Sequence, residues 1–283
     1  MIPSAFDYAR PENLQDAFAL LAEHGDEAKL IAGGHSLLPM MKLRLATPSI
    51  LIDISRIDGL AGIDATRDGL KLGALVTHAA LAASEQVRKL APALADAAAQ
   101  IGDTQVRNRG TLGGACAHGD PAADYPAVLL ALGARLRIAK KGGETVKEAD
   151  DFFRGMFETA LEGDAILTEI ALGPAPHSAY VKFPHPASHY AVVGVAAKLE
   201  LQGAKIASAR VAITGVGDSA FRAKSVEKAL SGVDAGDAAA IRSACIDAAA
   251  GIEARSDVFA SGSYRAAMAA VYAARAVTAA AIR

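Results

Sequence analysis

The chain has 283 residues, 29 basic and 31 acidic side chains for a formal net charge of -2, and 52% hydrophobic residues. That length suggests about two domains with ample core. The near-neutral charge, the 5% aromatic content and the absence of Trp exclude a basic, base-stacking surface for nucleic acid.

The first block runs from 1 to 57. Its opening residues, Met1 to Tyr8, have neither the basic nor the apolar region of a signal peptide. Asn13 is placed to cap a helix with Leu14, Ala17, Phe18 and Leu21 on one face and Asp16 in its first turn. The apolar run Lys29-Leu30-Ile31-Ala32 predicts a buried strand that breaks at Gly33-Gly34. A short helix follows His35-Ser36, and Ile50 to Ile54 predicts a second strand. Strand, turn, helix and strand in that order imply parallel pairing.

The second block spans 58–173. Asp68-Gly69 signals a hairpin between Gly62–Ala65 and Leu70–Leu75. Thr77 is placed to cap a short helix, and Val87 to Ile101 predicts one continuous helix. A glycine-punctuated loop then extends from Gly102 to Pro121. Tyr125 to Leu132 predicts a helix, Arg135 to Ala139 a strand, Gly142-Gly143 a turn, and Ile166 to Leu172 a strand. Gly173-Pro174-Ala175-Pro176 marks a boundary.

The third block, 177–283, opens with strands at Tyr180–Phe183, Ala191–Leu201 and Lys205–Thr214, the last two turned by Gln202-Gly203. Helices are predicted at Ala223–Ser231, Ala238–Ala250 and Ser263–Ala281. Ser263 to Ile282 is Ala-rich and carries Arg265 and Arg275, so it reads as a packing helix and not a membrane span. Strands followed by helices give an α+β class.

Two glycine pairs stand out: Ala32-Gly33-Gly34-His35-Ser36, directly after a strand, and Thr111-Leu112-Gly113-Gly114-Ala115. Glycine permits positive φ and lets backbone N–H groups approach a ligand, and successive N–H groups form an anion site. Together the loops could hold the two phosphates of a dinucleotide, with Ser36 and Thr111 adding hydroxyls; each alone reads as a tight turn. On the first reading, a side chain at Gly33 or Gly113 would stand where the diphosphate sits.

The second pair lies in a wider motif, Val106-Arg107-Asn108-Arg109-Gly110-Thr111-Leu112-Gly113-Gly114 followed by Ala117-His118-Gly119-Asp120-Pro121-Ala122-Ala123-Asp124. With the upstream Ala-Gly-Gly-His-Ser, and Tyr190 to Ala196, it resembles the FAD-binding medium subunit of the carbon-monoxide dehydrogenase and xanthine dehydrogenase family of molybdenum hydroxylases. The resemblance covers essentially the whole chain. It implies a two-lobed FAD-binding domain (PCMH/vanillyl-alcohol-oxidase-like, lobes 1–57 and 58–173) followed by a smaller domain of antiparallel strands and helices (177–283).

It also implies residue roles. The backbone of Leu30, Ile31, Ala32, Gly33, Gly34, His35, Ser36 and Leu37, and of Thr111, Leu112, Gly113, Gly114 and Ala115, would wrap the FAD diphosphate and ribitol. Asp124 would bind toward the adenosine part, Ile101 would give an apolar contact, and Leu167 a backbone contact. Lys182 would lie near the isoalloxazine, with Tyr190 as an aromatic near the flavin. His35 stands where Gln is common and Ala115 where Asn is common, so Ala115 cannot make the side-chain hydrogen bond expected there. No catalytic acid, base or nucleophile is implied.

In the resembled family, electrons pass from a molybdenum cofactor on a large subunit through two 2Fe-2S clusters on a small subunit to FAD, and on to an external acceptor. Cys116 and Cys245 are too few for a cluster, which takes about four thiolates, or for a zinc site. They read as two lone thiols of a cytoplasmic protein. The resemblance therefore implies the electron-exit subunit alone, with an iron–sulfur small subunit and a molybdenum-binding large subunit as partners. Two alternatives stay open: a self-contained flavin-dependent oxidoreductase of the same fold, and a flavin-free assembly module.

Other features have plainer readings. Gly215-Val216-Gly217-Asp218-Ser219-Ala220 fits a dinucleotide fingerprint, but helices follow it without a second parallel strand, so it reads as a turn. His118, Asp120 and Asp124 read as loop hydrogen-bonding groups, and His177, His185 and His189 as part of a solvated loop; no metal site is assigned. Arg107 and Arg109 read as loop cations before phosphate ligands.

Overall fold

The computed structural model describes residues 2–283. The first 53 residues build a small layer of β1 (Asp7–Ala9), α1 (Leu14–His24), β2 (Ala28–Ile31), α2 (Leu37–Lys42) and β3 (Ile50–Asp53). Asn13 is extended and its side chain accepts the Asp16 N–H at 2.9 Å, which starts α1. Ala17, Phe18 and Leu21 then fall on one face and pack on Ile50, Ile52 and Ile54. The three strands are all parallel, in order β1-β3-β2. Parallel strands offer their carboxyl ends to ligands, and Ala32 to Ser36 leave the sheet at that end.

The middle of the chain is β4 (Ile63–Thr66), β5 (Gly69–Gly73), α3 (His78–Ala83), α4 (Glu85–Leu90), α5 (Pro92–Gln100), α6 (Thr104–Arg109), α7 (Leu112–His118), α8 (Asp124–Leu132), β6 (Arg135–Lys140), β7 (Gly143–Glu148), α9 (Ala149–Phe152), β8 (Phe153–Gly155), β9 (Glu158–Thr159) and β10 (Ile166–Leu172). Its main sheet is antiparallel in order β4-β5-β10-β6-β7. Helices α3, α5, α7 and α8 supply the apolar side chains that cover it, among them Leu81, Leu94, Leu112, Tyr125 and Leu129.

The last part is an antiparallel sheet of β11 (Ser178–Pro184), β12 (Ala191–Gln202), β13 (Lys205–Thr214) and β14 (Phe221–Arg222), followed by α10 (Lys224–Leu230), α11 (Ala238–Ala244) and α12 (Gly262–Ala281). Strand alternation divides its two faces. Val193, Val195, Val211 and Ile213 point to the C-terminal helices, where Ala269, Ala273, Ala276 and Ala280 let α12 lie close to the sheet. Tyr180, Ala196 and Ala212 point the other way, into the core of the preceding part. This sheet is therefore the wall shared by both cores. Among the described residues, no helix is long and apolar enough to cross a membrane.

Several elements differ from the sequence expectation. The helix expected over Val87–Ile101 is two, because Pro92 opens α5 and holds Ala91 at φ -150, ψ 64. The expected loop from Gly102 to Pro121 contains α6 and α7. Asp103 caps the first by accepting the Val106 N–H at 2.8 Å, and Thr111 caps the second by accepting the Gly114 N–H at 3.1 Å. The helix expected to reach Ala250 ends at Ala244. Strands β1, β7, β8, β9 and β14 are additional; β1 is three residues long and owes its place to pairing with β3.

Candidate functional site

Ile31 pairs with Asp53 in the last register of the parallel sheet, and the chain then turns through Ala32 to Ser36. Gly34 has φ +76, a left-handed conformation that suits glycine. The first backbone N–H to be bonded after this turn is that of Leu38, which reaches the Gly34 carbonyl at 3.0 Å. Among the described residues, the N–H groups of Gly33, Gly34, His35, Ser36 and Leu37 donate to no protein atom. The Ser36 hydroxyl makes no cap bond to α2 either. Five successive free N–H groups in a half-buried turn leave donors that need an external acceptor, which is the property of an anion-binding nest. His35 does not reach outward through Nδ1; that atom donates to the Gly33 carbonyl at 3.0 Å.

The second glycine segment is different in kind. The N–H of Leu112 donates to Val76 at 2.9 Å, that of Gly113 to Ala74 at 2.8 Å, that of Gly114 to the Thr111 hydroxyl, and that of Ala115 to the Thr111 carbonyl at 3.1 Å. Thr111 to Ala115 were expected to grip the diphosphate by their backbone; these four N–H groups are instead spent on the protein. The glycines serve close approach. A Cβ on Gly113 would lie 2.9 Å from the Ala74 Cα, inside the fold. Gly114 is exposed, and its missing side chain leaves open the space toward Ala32, whose Cβ would stand 4.0 Å from an added one.

The structure brings the two segments together. A Cβ on Gly33 would collide with the Arg109 carbonyl and stand 2.7 Å from the Gly110 Cα. A side chain at Gly33 or Gly113 would thus strike protein backbone before any ligand, which corrects the expectation that it would stand in the diphosphate's place. Arg107, expected in a loop, lies in α6 and folds back, donating from Nη1 to the Ile101 and Gly102 carbonyls at 3.0 Å each.

Asp124 opens α8 and is buried. Its carboxylate accepts from the Tyr180 hydroxyl and from Lys182 Nζ at 3.0 Å, and Lys182 also donates to the Gln100 carbonyl at 2.9 Å. The Lys182 and Asp124 side chains are 1% and 6% exposed. Burial pushes the Asp124 carboxyl above its ordinary range, against the Lys182 charge and the Tyr180 hydrogen bond. The resemblance put Asp124 at the adenosine end of FAD and Lys182 at the isoalloxazine. Because the two are in contact, they act as one group at one place and not at opposite ends of an extended dinucleotide.

The rest of the expected set lies around these features. Ile101 ends α5, next to the carbonyl held by Lys182. Leu167 is buried in β10; the next residue, Thr168, accepts the Ala74 N–H, and Ala74 in turn accepts that of Gly113. Tyr190 is 42% exposed, yet its phenol is pushed up to about 12, first by burial and then by Asp120 and Asp124.

The 120–124 turn is clamped by the C-terminal sheet. The Thr214 hydroxyl donates to the Pro121 carbonyl, the Gly215 N–H reaches the same oxygen at 2.9 Å, and the Ala191 N–H reaches Ala122 at 3.2 Å. Sequence reasoning missed Tyr180, Thr214 and His78 in this region. Each meets its partners from more than 45 residues away, and only the Gly-rich turn after Thr214 hinted at a close approach.

The comparisons with known proteins fit this geometry. Residues 4–175 match the family model of the FAD binding domain in molybdopterin dehydrogenase, and residues 178–280 that of the CO dehydrogenase flavoprotein C-terminal domain. The medium chain of carbon monoxide dehydrogenase from Hydrogenophaga pseudoflava is 39% identical over 99% of this chain and 98% of that protein. The medium subunit of nicotine 6-hydroxylase from Paenarthrobacter nicotinovorans is 38% identical over 81% of each. A solved structure of the Hydrogenophaga pseudoflava carbon monoxide dehydrogenase, in a form lacking the Mo-pyranopterin moiety, superposes with a TM-score of 0.94 over 99% of this chain and 98% of the matched one.

Proposed function

The chain belongs to the family of FAD-binding subunits of molybdenum hydroxylases, and on that premise we propose that it is the electron-exit subunit of such an enzyme. The observation that carries the placement of FAD is the run of five free N–H groups from Gly33 to Leu37, beside the opening between Ala32 and Gly114. In this reading those N–H groups and the Ser36 hydroxyl hold the diphosphate. Gly114 keeps the opening clear, and Thr111, Leu112, Gly113 and Ala115 set the position of the facing helix. Leu30 and Ile31 bring the nest to the sheet edge, while Ile101 gives the flavin an apolar contact and Leu167 a backbone contact. The buried Asp124–Lys182 pair and Tyr190 line the part of the site that the C-terminal domain closes.

When bound, FAD supplies the redox chemistry, and the chain supplies position, enclosure and a fixed electrostatic environment. Two buried free thiols leave cluster chemistry to other chains. We place the chain beside an iron–sulfur small subunit and a molybdenum-binding large subunit in the cytoplasm, with 1–57 and 58–173 as the two FAD lobes and 177–283 as the C-terminal domain. The relatives serve carbon monoxide and nicotine by name, so similarity over the whole chain does not set the substrate.

The test is the visible spectrum of the purified full chain after incubation with excess FAD and desalting, with the released flavin identified by chromatography. Stoichiometric FAD without iron–sulfur absorption is expected. A chain that takes up no flavin, alone or with its co-expressed partners, would refute the reading.

A further inference from the structure

His78 opens α3 and is 4% exposed. Its backbone N–H donates to the Gly110 carbonyl at 3.1 Å, and a Cβ on Gly110 would lie 2.5 Å from its Nε2. Gly110 is also the residue on which Gly33 rests. The imidazole thus lies at the junction of the two glycine segments, near enough to His35 and Arg107 for their charge to act on it.

Its two nitrogens have different surroundings. Nδ1 lies 2.8 Å from the hydroxyl of Tyr125, which is fully buried and has no other hydrogen-bond partner among the described residues. If Nδ1 carried the proton, the Tyr125 hydrogen would be left unpaired in the core, at the desolvation cost of a buried donor. The phenol therefore donates to Nδ1, and the imidazole keeps its proton on Nε2. Burial holds the ring neutral, with a pKa of about 4. Nε2 has no protein partner, and it is not among the sealed, unpartnered side-chain atoms of the described residues. It opens on the junction as a neutral donor without an acceptor.

We propose that His78 is a ligand-binding residue of this site, donating its Nε2–H to a phosphate oxygen of the bound dinucleotide, with Tyr125 fixing the tautomer. The inference rests on the FAD reading above and adds a side-chain donor to a nest otherwise made of backbone. A neutral donor suits this place, because it bonds the diphosphate without a second buried charge to desolvate.

The test compares the full wild-type chain with His78→Gln, which keeps a terminal N–H, and His78→Leu, which removes it. Affinity for FAD, ADP and FMN is measured by calorimetry. His78→Leu should weaken FAD and ADP alike by about ten- to a hundredfold, the loss of one hydrogen bond to a charged group, with His78→Gln within a few-fold of wild type. Equal FAD affinity in wild type and His78→Leu would overturn the proposal and leave the FAD reading intact. Loss toward FAD but not ADP would overturn the phosphate assignment. A wild-type chain that binds neither, alone or with its co-expressed partners, would bring down both readings. Should His78→Leu fail to fold, ¹⁵N NMR of the wild-type histidines decides: a protonated Nε2 whose resonance moves on adding ADP is expected, and a protonated Nδ1 or an unmoved resonance refutes it.

Discussion

Removing the ammonium of Lys182 tests whether the FAD-binding part and the C-terminal sheet are locked by a buried ion pair. Nζ and the Asp124 carboxylate are 3.0 Å apart with almost no exposure, where Coulomb attraction at an effective dielectric of about 20 is of order 5 kcal/mol. Desolvation of both charges offsets much of that attraction, but removing one partner strands the other, at a cost of about 3–5 kcal/mol. Lys182→Met, which strands a buried carboxylate, should lose that much at pH 7.5 in the FAD-free chain; Asp124→Asn, which mimics the neutral carboxyl that burial favours, should lose less. The double variant Asp124→Asn/Lys182→Met should lose clearly less than the sum. The pH dependence separates the singles. The folded Asp124 pKa lies above its unfolded value, so the stability tied to the protonated carboxyl is full below the unfolded value and is lost as pH rises through the folded one. Without Lys182 the folded value climbs further, so the Lys182→Met deficit should shrink on acidification toward pH 5, and that of Asp124→Asn should not. Guanidinium unfolding followed by circular dichroism suits a chain without Trp. A Lys182→Met cost under about 1 kcal/mol, or a cycle additive within about 0.5 kcal/mol, would mean the pair is solvated and the lock does not exist.

Four further outcomes follow from single sites. Gly114→Val should abolish FAD retention while costing only about 1 kcal/mol of stability, the worth of the Thr111 cap it disturbs. Gly33→Ala should instead lower the melting temperature together with FAD uptake, because its methyl meets the Arg109–Gly110 backbone; a melting curve and a spectrum on each variant distinguish them. Burial pushes the Cys116 thiol up and that of Cys245 up to about 12, so a thiol reagent at pH 8 should find almost no reactive cysteine in the native chain and two after denaturation. Arg265→Met should cost about 2–5 kcal/mol in thermal or chemical unfolding, since Nη1 donates to the Val192 and Gly215 carbonyls at 2.7 and 2.8 Å and the side chain is 4% exposed.

What could be read from the amino acids alone follows a physical line. The Asn13 cap, the Asp68-Gly69 hairpin, the long β12–β13 pair and the turn at Gly215 are local, and each is as expected. The stretch from Gly102 to Pro121 was not legible, since Gly113 and Gly114, in the first turn of α7, oppose helix formation by up to about 1 kcal/mol each. What overrides them is non-local: the Ala74 and Val76 carbonyls take the first N–H groups of α7, and those residues belong to another strand end. The same non-local bonding decides what the motif does. Two glycine pairs that look alike in sequence divide the work. The first leaves its N–H groups free and is the anion site we propose. The second spends its N–H groups inside the fold, and its glycines provide close packing at Gly113 and open space at Gly114. A glycine pair therefore signals close approach, and whether the approaching partner is a ligand or the protein itself is settled by where the neighbouring carbonyls lie.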